Sequence, residues 1–207
     1  MQPAVVSHPL AQCHLTEMRD ASTPPHRFRR HLNLLGRMLF LEATRDLPVA
    51  AIRVQTPLQE TNGVKLAGPM VFVPILRAGL GLLDGILSLV PDACVAHVGI
   101  KRNEETAQPQ PYYANLPPVI AEADVFLLDP MLATGGSMAY TLQLLLERGA
   151  TDITAVCVVC APPGIALVET VVPDLKLFTA TIDPALNDVA YIVPGLGDAG
   201  DRLFGTK

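Results

Sequence analysis

One carboxylate followed by a run of small residues carries the clearest chemistry in this chain. Residues 127–137 read LLDPMLATGGS, so Asp129 ends an apolar run and the small residues at 133–137 open a helix-like stretch. A loop of this kind brings several backbone N–H groups to one oxyanion, and the dipole of the following helix adds to their effect. A neighbouring carboxylate suits hydroxyl groups better than phosphate oxygens. The pattern therefore predicts a ligand that offers both groups, such as a sugar phosphate.

The elements that must position this loop are apolar runs alternating with helix-like stretches. The sequence predicts strands at 49–54, 70–76, 94–100, 125–128, 153–161 and 175–182, and helices at 24–47, 80–89, 136–148 and 163–171. Alternating strands and helices indicate an α/β fold with a mainly parallel central sheet flanked by helices. Ligands bind such sheets beyond the C-terminal ends of the strands. Three candidate loops begin at such ends, after Leu76, Ile100 and Leu128.

Size and charge narrow the classes of function. The 207 residues fit one domain, and no apolar run approaches the roughly 18 residues of a membrane span. The N-terminus lacks the pattern of a signal peptide, so a cytoplasmic protein without a membrane partner is expected. A net charge of −5 argues against a broad nucleic-acid-binding face. An anionic ligand would therefore depend on local Arg or Lys, backbone N–H groups or a metal.

A CxxC motif, formed by Cys157 and Cys160, lies inside the apolar run 153–161. If that run is one continuous strand, residues three apart point to opposite faces, so the two thiols would not share a metal. A thioredoxin-like redox motif would open a helix instead. Both cysteines are therefore expected to pack in the core.

Four motifs follow one another in a familiar order. They read VPILRAGLG at 73–81, RNEET at 102–106, DPMLATGGS at 129–137 and YIVPGLGDAGDRLFGTK at 191–207. Together they resemble the uracil phosphoribosyltransferases, a branch of the type I phosphoribosyltransferases, and the resemblance covers essentially the whole chain. The wider family has two acids before its loop, and Pro130 replaces the second one here. That replacement removes one carboxylate from the ribose, but DPMLATGGS is the form found in the uracil branch.

The resemblance implies a fold and an activity. The expected fold is the type I phosphoribosyltransferase fold over a single domain, 1–207, with an N-terminal arm and helix at 1–48. A flap at 101–118 and a uracil-binding C-terminal hood at 184–207 complete it. The expected reaction transfers the 5-phosphoribosyl group of 5-phospho-α-D-ribose 1-diphosphate (PRPP) to N1 of uracil. Its products are UMP and diphosphate, and its role is pyrimidine salvage.

The same resemblance assigns roles to individual residues. The catalytic set is Arg77, Arg102, Asp129 and Asp198, with Lys101 as a weaker candidate beside Arg102. The residues expected to bind PRPP are Arg77, Arg102, Asp129, Pro130, Met131, Leu132, Ala133, Thr134, Gly135, Gly136, Ser137 and Asp198. The residues expected to bind uracil are Ile192, Gly197, Asp198 and Ala199. No protein metal site is predicted, since Mg²⁺ would be held mainly by PRPP and water. A homodimer or higher homo-oligomer is expected, with GTP as an allosteric activator in some members.

Two other classes of function stay open at this point. The chain could be a non-catalytic sensor that binds uracil or a nucleotide, although Arg77, Arg102, Asp129 and Asp198 are all present, which favours an enzyme. It could also be an RNA-binding regulator related to pyrimidine attenuation proteins. The basic residues that would serve RNA lie on the first long helix and are Arg27, Arg29, Arg30 and Arg37. The negative net charge disfavours this alternative.

Overall fold

The structure is a computed structural model that describes residues 1–102 and 109–206. Its strands are β1 (Ala4–Val5), β2 (Val49–Gln55), β3 (Glu60–Leu66), β4 (Met70–Leu76), β5 (Cys94–Val95), β6 (His97–Arg102), β7 (Pro109–Asn115), β8 (Asp124–Leu128), β9 (Met131–Leu132), β10 (Asp152–Val156), β11 (Val159–Cys160), β12 (Lys176–Thr179), β13 (Thr181–Ile182), β14 (Ala185–Leu186) and β15 (Ile192–Val193). Its α-helices are α1 (Pro9–Arg19), α2 (Pro25–Ala43), α3 (Leu80–Leu87), α4 (Gly136–Glu147), α5 (Pro162–Val171) and α6 (Ala199–Phe204).

The central sheet joins these strands in the order β1-β12-β10-β8-β4-β6-β7, with β5 also paired to β4. Every pair in it is parallel except β6 with β7. The register places Leu128 beside both Pro74 and Val156, so β4, β8 and β10 end at the same edge of the sheet. The mainly parallel α/β fold is thus confirmed, and its C-terminal strand ends meet where the loop residues follow β8.

The central strands are apolar throughout because helices cover both faces of the sheet. The seven residues of β4, MVFVPIL, are buried except for the last, which is half-buried. Parallel strands covered on both sides read as continuous apolar runs rather than as an alternation. One face packs against α1, α2 and α3, where Phe40, Phe72 and Phe126 meet edge to face with ring centroids 5.0–6.0 Å apart. The other face packs against α4 and α5.

Three neighbouring strands are interrupted at the same level and then resume as a small second sheet, β13-β11-β9. The predicted strands 153–161 and 175–182 are therefore each divided in two, because the apolar run predicts burial but not the break. The expectation that Cys157 and Cys160 face opposite ways is wrong for this reason. Both are fully buried, as predicted. They face each other rather than opposite ways, because the two thiols share a hydrogen bond, and burial together with this hydrogen bond raises the pKa of Cys157.

Other predicted elements agree with the structure to within a few residues. The strand 70–76 has the predicted bounds, and α4 ends one residue before the prediction, with Gly149 in the left-handed region at φ 85°. The predicted strand 94–100 is divided into β5 and β6, and β6 continues to Arg102 and pairs with β7, while residues 103–108 of the expected flap lie outside the described part. Within the described residues, no helix is long and apolar enough to cross a membrane.

Candidate active site

Asp129 stands at the first interruption of the sheet, directly after β8. Its backbone N–H donates to the Val156 carbonyl oxygen at 3.2 Å, which ties the residue to the neighbouring strand. Its carboxylate has one long contact, 3.5 Å from the Met131 N–H. Burial raises the pKa of Asp129 to about 7, since the single N–H contact offsets only part of the lost hydration. The ligand-free site therefore holds a carboxyl group that titrates near neutral pH.

The loop after Asp129 leaves backbone donors for a ligand. Helix α4 begins at Gly136, and its N-cap is Gly135 in the left-handed region, with φ 84°. A glycine cap supplies no side-chain oxygen, so the N–H groups of the first turn are left for an anion. A Cβ on Gly135 would lie 2.8 Å from the Gly164 carbonyl oxygen, and one on Gly164 would lie 2.5 Å from that of Ala133. Both glycines are thus required by the close approach of the loop to α5.

A cavity of about 280 Å³ opens over this loop. It is lined by residues 131–138 together with Asp129 and Asp198. Most of the predicted PRPP-binding residues are therefore brought together, including Thr134 and Ser137. Pro130 differs from them, because it is buried and its carbonyl oxygen accepts from the Val158 and Val159 N–H groups, each at 3.0 Å.

Arg77 reaches the same region from the end of β4. The turn that carries it packs directly on the end of β8, since a Cβ on Gly79 would lie 2.4 Å from the Leu128 carbonyl oxygen. The guanidinium of Arg77 donates to the Asp201 carboxylate at 3.1 Å and lies 6.0 Å from the centre of the Phe204 ring. About half of the side chain, 53%, is exposed. Donors of this guanidinium therefore remain accessible to a ligand.

The C-terminal segment, for which no helix was predicted, contains helix α6. Asp198 caps this helix by accepting from the Asp201 N–H at 2.8 Å. Gly197, just before it, is exposed and has φ 71°, a conformation that glycine adopts at little cost. Ile192 is buried at one side of this turn, and Ala199 is buried at the start of the helix.

The segment 183–206, called the tail below, is fastened to the N-terminal helix α1. Arg19 donates to both carboxylate oxygens of Asp183, at 2.7 and 2.8 Å, and to the Gly195 carbonyl oxygen at 3.0 Å. The Gly195 N–H donates back to Asp183 at 2.8 Å. Burial alone would raise the pKa of Asp183, but the hydrogen bonds from Arg19 and Gly195 outweigh it and lower the pKa. The charged form of Asp183 is therefore the one that holds the tail.

Arg202 fastens the tail a second time. Its guanidinium donates to the Leu196 carbonyl oxygen at 2.9 Å and to the carbonyl oxygens of Met18 and Asp20, and it lies 4.5 Å from the centre of the Phe28 ring. The sequence analysis missed Arg19, Asp183 and Arg202. No local pattern marks them, because the partners of each contact between α1 and the tail stand 164 or more residues apart.

A second cavity, of about 640 Å³, lies between the tail, Arg77 and the loop. It shares Met131, Ala133 and Asp198 with the smaller cavity, so the two adjoin. Its other lining residues are Leu76, Arg77, Ile100, Lys101, Tyr112, Ala190, Tyr191, Ile192, Gly197 and Asp201. The predicted residues named in these two linings thus surround one continuous space, whereas the buried Pro130 and Ala199 line neither cavity. Arg102 contributes its backbone to β6, and most of the RNEET motif lies outside the described residues.

Across residues 1–102 and 109–206, no group of three or more His, Cys, Asp or Glu residues is placed to hold a metal ion. Carboxylate oxygens are nonetheless available at the joined cavities, from Asp198 and Asp201. Mg²⁺ is commonly bound by one or two carboxylates plus the phosphates of a substrate and several waters. The donor set therefore fits a cation that a phosphorylated substrate brings with it.

The fold and this site define a type I phosphoribosyltransferase. A hypoxanthine phosphoribosyltransferase of Staphylococcus aureus matches with a TM-score of 0.52 and 14% identity over 76% of either chain, a likeness that shows the fold. A family model described as uracil phosphoribosyltransferase matches residues 5–206. The chain belongs to the uracil phosphoribosyltransferase family, as the resemblance predicted.

Individual relatives agree with this assignment along the full length. Uracil phosphoribosyltransferases of Corynebacterium diphtheriae and Corynebacterium glutamicum are 53% and 51% identical, over 100% of this chain and 98% of each relative. A solved structure, that of the AQ2163 protein from Aquifex aeolicus, is similar with a TM-score of 0.95 and 39% identity. The match covers 100% of this chain and 99% of the Aquifex aeolicus chain.

Proposed function

We propose that this chain transfers the 5-phosphoribosyl group of PRPP to N1 of uracil, giving UMP and diphosphate in pyrimidine salvage. The observation that carries the proposal is the junction of two cavities at Asp198. One cavity offers uncapped N–H groups for a phosphate, and the other joins Arg77 to an irregular backbone that suits a flat base. The transferred sugar would lie where the two cavities meet.

Each part of PRPP has a complementary group. The N–H groups and hydroxyls of residues 133–137 bind the 5-phosphate, and ionised Asp129 accepts from the ribose hydroxyls. Arg77 and Arg102 bind the diphosphate. Met131, Leu132 and the buried Pro130 shape the floor on which the ribose lies. Guanidinium suits this task because it keeps its charge and presents several donors to phosphate oxygens.

The reaction breaks the bond between C1 and the diphosphate oxygen while uracil N1 attacks C1, and the N1 proton is released to solvent. Positive charge develops on the ribose ring and negative charge on the leaving diphosphate. Arg77 and Arg102 stabilise the negative charge as it grows, which lowers the barrier in the manner of an oxyanion hole. Asp198 would hold Mg²⁺ through water when PRPP brings the cation, and Mg²⁺ would supply further stabilisation of the negative charge. The loop and the tail hold C1 and N1 in line.

Uracil is recognised by the turn that precedes α6. Its edge presents carbonyl acceptors and N–H donors, which the backbone of Gly197 and Ala199 can match, while Ile192 packs against the flat face. The exposed backbone of Gly197 allows close approach, since no Cβ stands between it and the base. Asp198 lies between the base and the sugar.

Several broader properties belong to this proposal. The chain acts as one domain over 1–207, with 1–48 as an arm, 101–118 as a flap that closes over PRPP and 184–207, which overlaps the tail, as the uracil-binding hood. It works in the cytoplasm as a homodimer or a higher oligomer. GTP is proposed as its allosteric activator. A titration of turnover with GTP at subsaturating PRPP tests this, and an unchanged rate would contradict activation by GTP.

The direct test mixes purified protein with uracil, PRPP and Mg²⁺ and measures UMP. Formation of UMP at a rate that depends on all three is expected, and its absence over a range of pH would overturn the enzyme assignment. Calorimetry that found uracil or UMP binding without turnover would favour a sensor. The RNA-binding alternative is weakened because Arg27 pairs with Glu17 at 2.6 Å and Arg29 donates to the Leu203 carbonyl oxygen at 2.7 Å.

A further inference from the structure

Asp201 lies on the wall of the larger cavity, where its carboxylate could face a substrate-borne cation, but it has no role among the residues assigned to PRPP or uracil. It is in the first turn of α6, and only 12% of its side chain is exposed. A carboxylate beside a site for diphosphate is unfavourable on charge alone, since like charges repel. A carboxylate at this position therefore needs a positively charged partner that offsets the repulsion.

That partner is Arg77. The Arg77 guanidinium donates to one oxygen of Asp201 at 3.1 Å across 124 residues of sequence, and it lies 6.0 Å from the centre of the Phe204 ring, which belongs to the same helix as Asp201. The Thr206 hydroxyl donates to the same carboxylate oxygen, so Asp201 is itself held in place. One end of Arg77 is thereby fixed, although the side chain remains 53% exposed.

We infer that Asp201 is a positioning residue, which acts through Arg77 by fixing its guanidinium at the diphosphate side of the cavity. A guanidinium has five N–H donors, and Asp201 accepts from one of its nitrogens, which leaves other donors for phosphate oxygens. A fixed Arg77 loses less rotamer freedom when PRPP binds, so its contact is stronger than that of a free side chain. This inference rests on the proposed function.

The sign of one kinetic effect separates positioning from simple repulsion. If Asp201 acted only by its charge, Asp201→Asn would lower KM for PRPP, because a negative group would leave the diphosphate site. If Asp201 positions Arg77, the same change raises KM for PRPP. We expect a rise of about tenfold, close to the value of one charge-assisted hydrogen bond.

A double-mutant cycle shows whether the effect runs through Arg77. Steady-state kinetics are measured for Asp201→Asn, Arg77→Gln and the double variant, with Asp152→Asn as a matched control. Asp152 pairs with Lys176 at 2.9 Å at the opposite end of β10, so its loss should leave kcat and both KM values unchanged. Asp201→Asn should lower kcat/KM for PRPP about tenfold beside native Arg77 and less than twofold beside Arg77→Gln.

An equal loss in both backgrounds, or a lower KM for PRPP, would overturn the inference. Asp201→Glu guards against a folding defect, because it keeps the charge and displaces the carboxylate by one methylene. For Asp201→Glu we expect kcat/KM for PRPP to fall about threefold beside native Arg77, which is the effect of one weakened hydrogen bond. No fall is expected beside Arg77→Gln. Wild-type protein that forms no UMP would reject the proposed function instead, so the two failures are distinguishable.

Discussion

The phosphate loop, residues 129–137, and the tail, residues 183–206, face each other across one cavity but are held in different ways. The loop links β8 to α4 through the short strand β9, which pairs with β11, and its glycines rest against α5, so its contacts follow it closely in the chain. The tail depends on α1, through Arg19 with Asp183 and Arg202 with Asp20, pairs that are 164 and 182 residues apart. The loop is thus a local structure, whereas the tail is a docked one.

This difference predicts that changes in the two regions affect the binding of different substrates. A loop that is paired with β11 and packed on α5 is held on both sides, so it offers a preformed site for the proposed phosphate. A docked tail can be loosened by breaking a few contacts, although Ile192, Leu196 and Leu203 also bury their side chains in the core beside α1 and α2. Changes in the loop should therefore damage PRPP binding, and changes at the junction with α1 should damage uracil binding. The following variants are ordered from the largest expected effect to the smallest.

Asp129→Asn gives the largest effect on the loop side. The amide replaces an ionised acceptor at the ribose hydroxyls, so kcat/KM for PRPP should fall about 100-fold. The ligand-free protein should become more stable at pH 8, by no more than about 4 kcal/mol, since it no longer buries a charge whose pKa is about 7. Kinetics and thermal unfolding measure both. Unchanged PRPP kinetics would remove the assigned role of Asp129.

Breaking the junction between α1 and the tail should act on the uracil side. In Arg19→Gln the Asp183 carboxylate, whose side chain is 5% exposed, keeps the Gly195 N–H but loses its cation. The free energy of unfolding should fall by about 3 kcal/mol and KM for uracil should rise about tenfold, while the Kd for PRPP stays within about twofold. Asp183→Asn should cost less, because Arg19 is 26% exposed and can reach water. An equal loss of affinity for both substrates would contradict the division between loop and tail.

The pH dependence of kcat/KM for PRPP gives a second test of the role of Asp129. In the free enzyme Asp129 has a pKa of about 7, well above the 3.8 of an ordinary aspartate, so it is largely protonated at pH 6. Since the ionised form binds the ribose, kcat/KM for PRPP should fall about tenfold from pH 8 to pH 6. Stability moves the other way, because the folded state binds the extra proton between pH 3.8 and about 7 and gains stability as the pH falls. The Asp129→Asn profile isolates the titration of PRPP itself, and an identical profile in both proteins would contradict the assignment.

One substitution made in both regions gives the smallest and best matched effects. Gly135→Ala combines a φ of 84° with a Cβ only 2.8 Å from a carbonyl oxygen, so it should cost about 2–3 kcal/mol of stability and weaken PRPP binding. Gly197→Ala has φ 71° but its nearest neighbour is 3.7 Å away, so about 1 kcal/mol is expected, with a rise in KM for uracil alone. Unfolding measures the loss of stability in each variant, and steady-state kinetics measure the KM values for PRPP and uracil. Equal costs at the two glycines would mean that packing against α5 adds nothing.

The same contrast explains how much could be predicted from the sequence. The bounds of β4, the start of α4 and the position of Asp129 followed from contiguous residues, because burial on both faces produces unbroken apolar runs. The interruption at Cys157 was invisible for the same reason, since an apolar run stays apolar across a break. The approach of Gly135 to Gly164 likewise depends on tertiary packing.

The tail could be assigned by resemblance but not by pattern. Helix α6 has six residues, AGDRLF, which are too few and too rich in glycine for a periodic signal. It is stabilised by Arg202 and by the pair of Arg77 with Asp201, contacts that link distant parts of the chain. No spacing in the sequence identifies Arg19 as the partner of Asp183. The motif thus predicts which residues bind uracil, and the structure shows which contacts hold that segment in place.

The most direct test of two half-sites in one cavity is a crystal structure of the protein with UMP bound. The phosphate should lie within hydrogen-bond distance of the N–H groups of residues 134–137, the ribose hydroxyls against Asp129 and the uracil edge against Gly197 and Ala199. A UMP phosphate bound elsewhere, for example in the cavity of about 670 Å³ that α2, α3 and α6 enclose, would contradict the account.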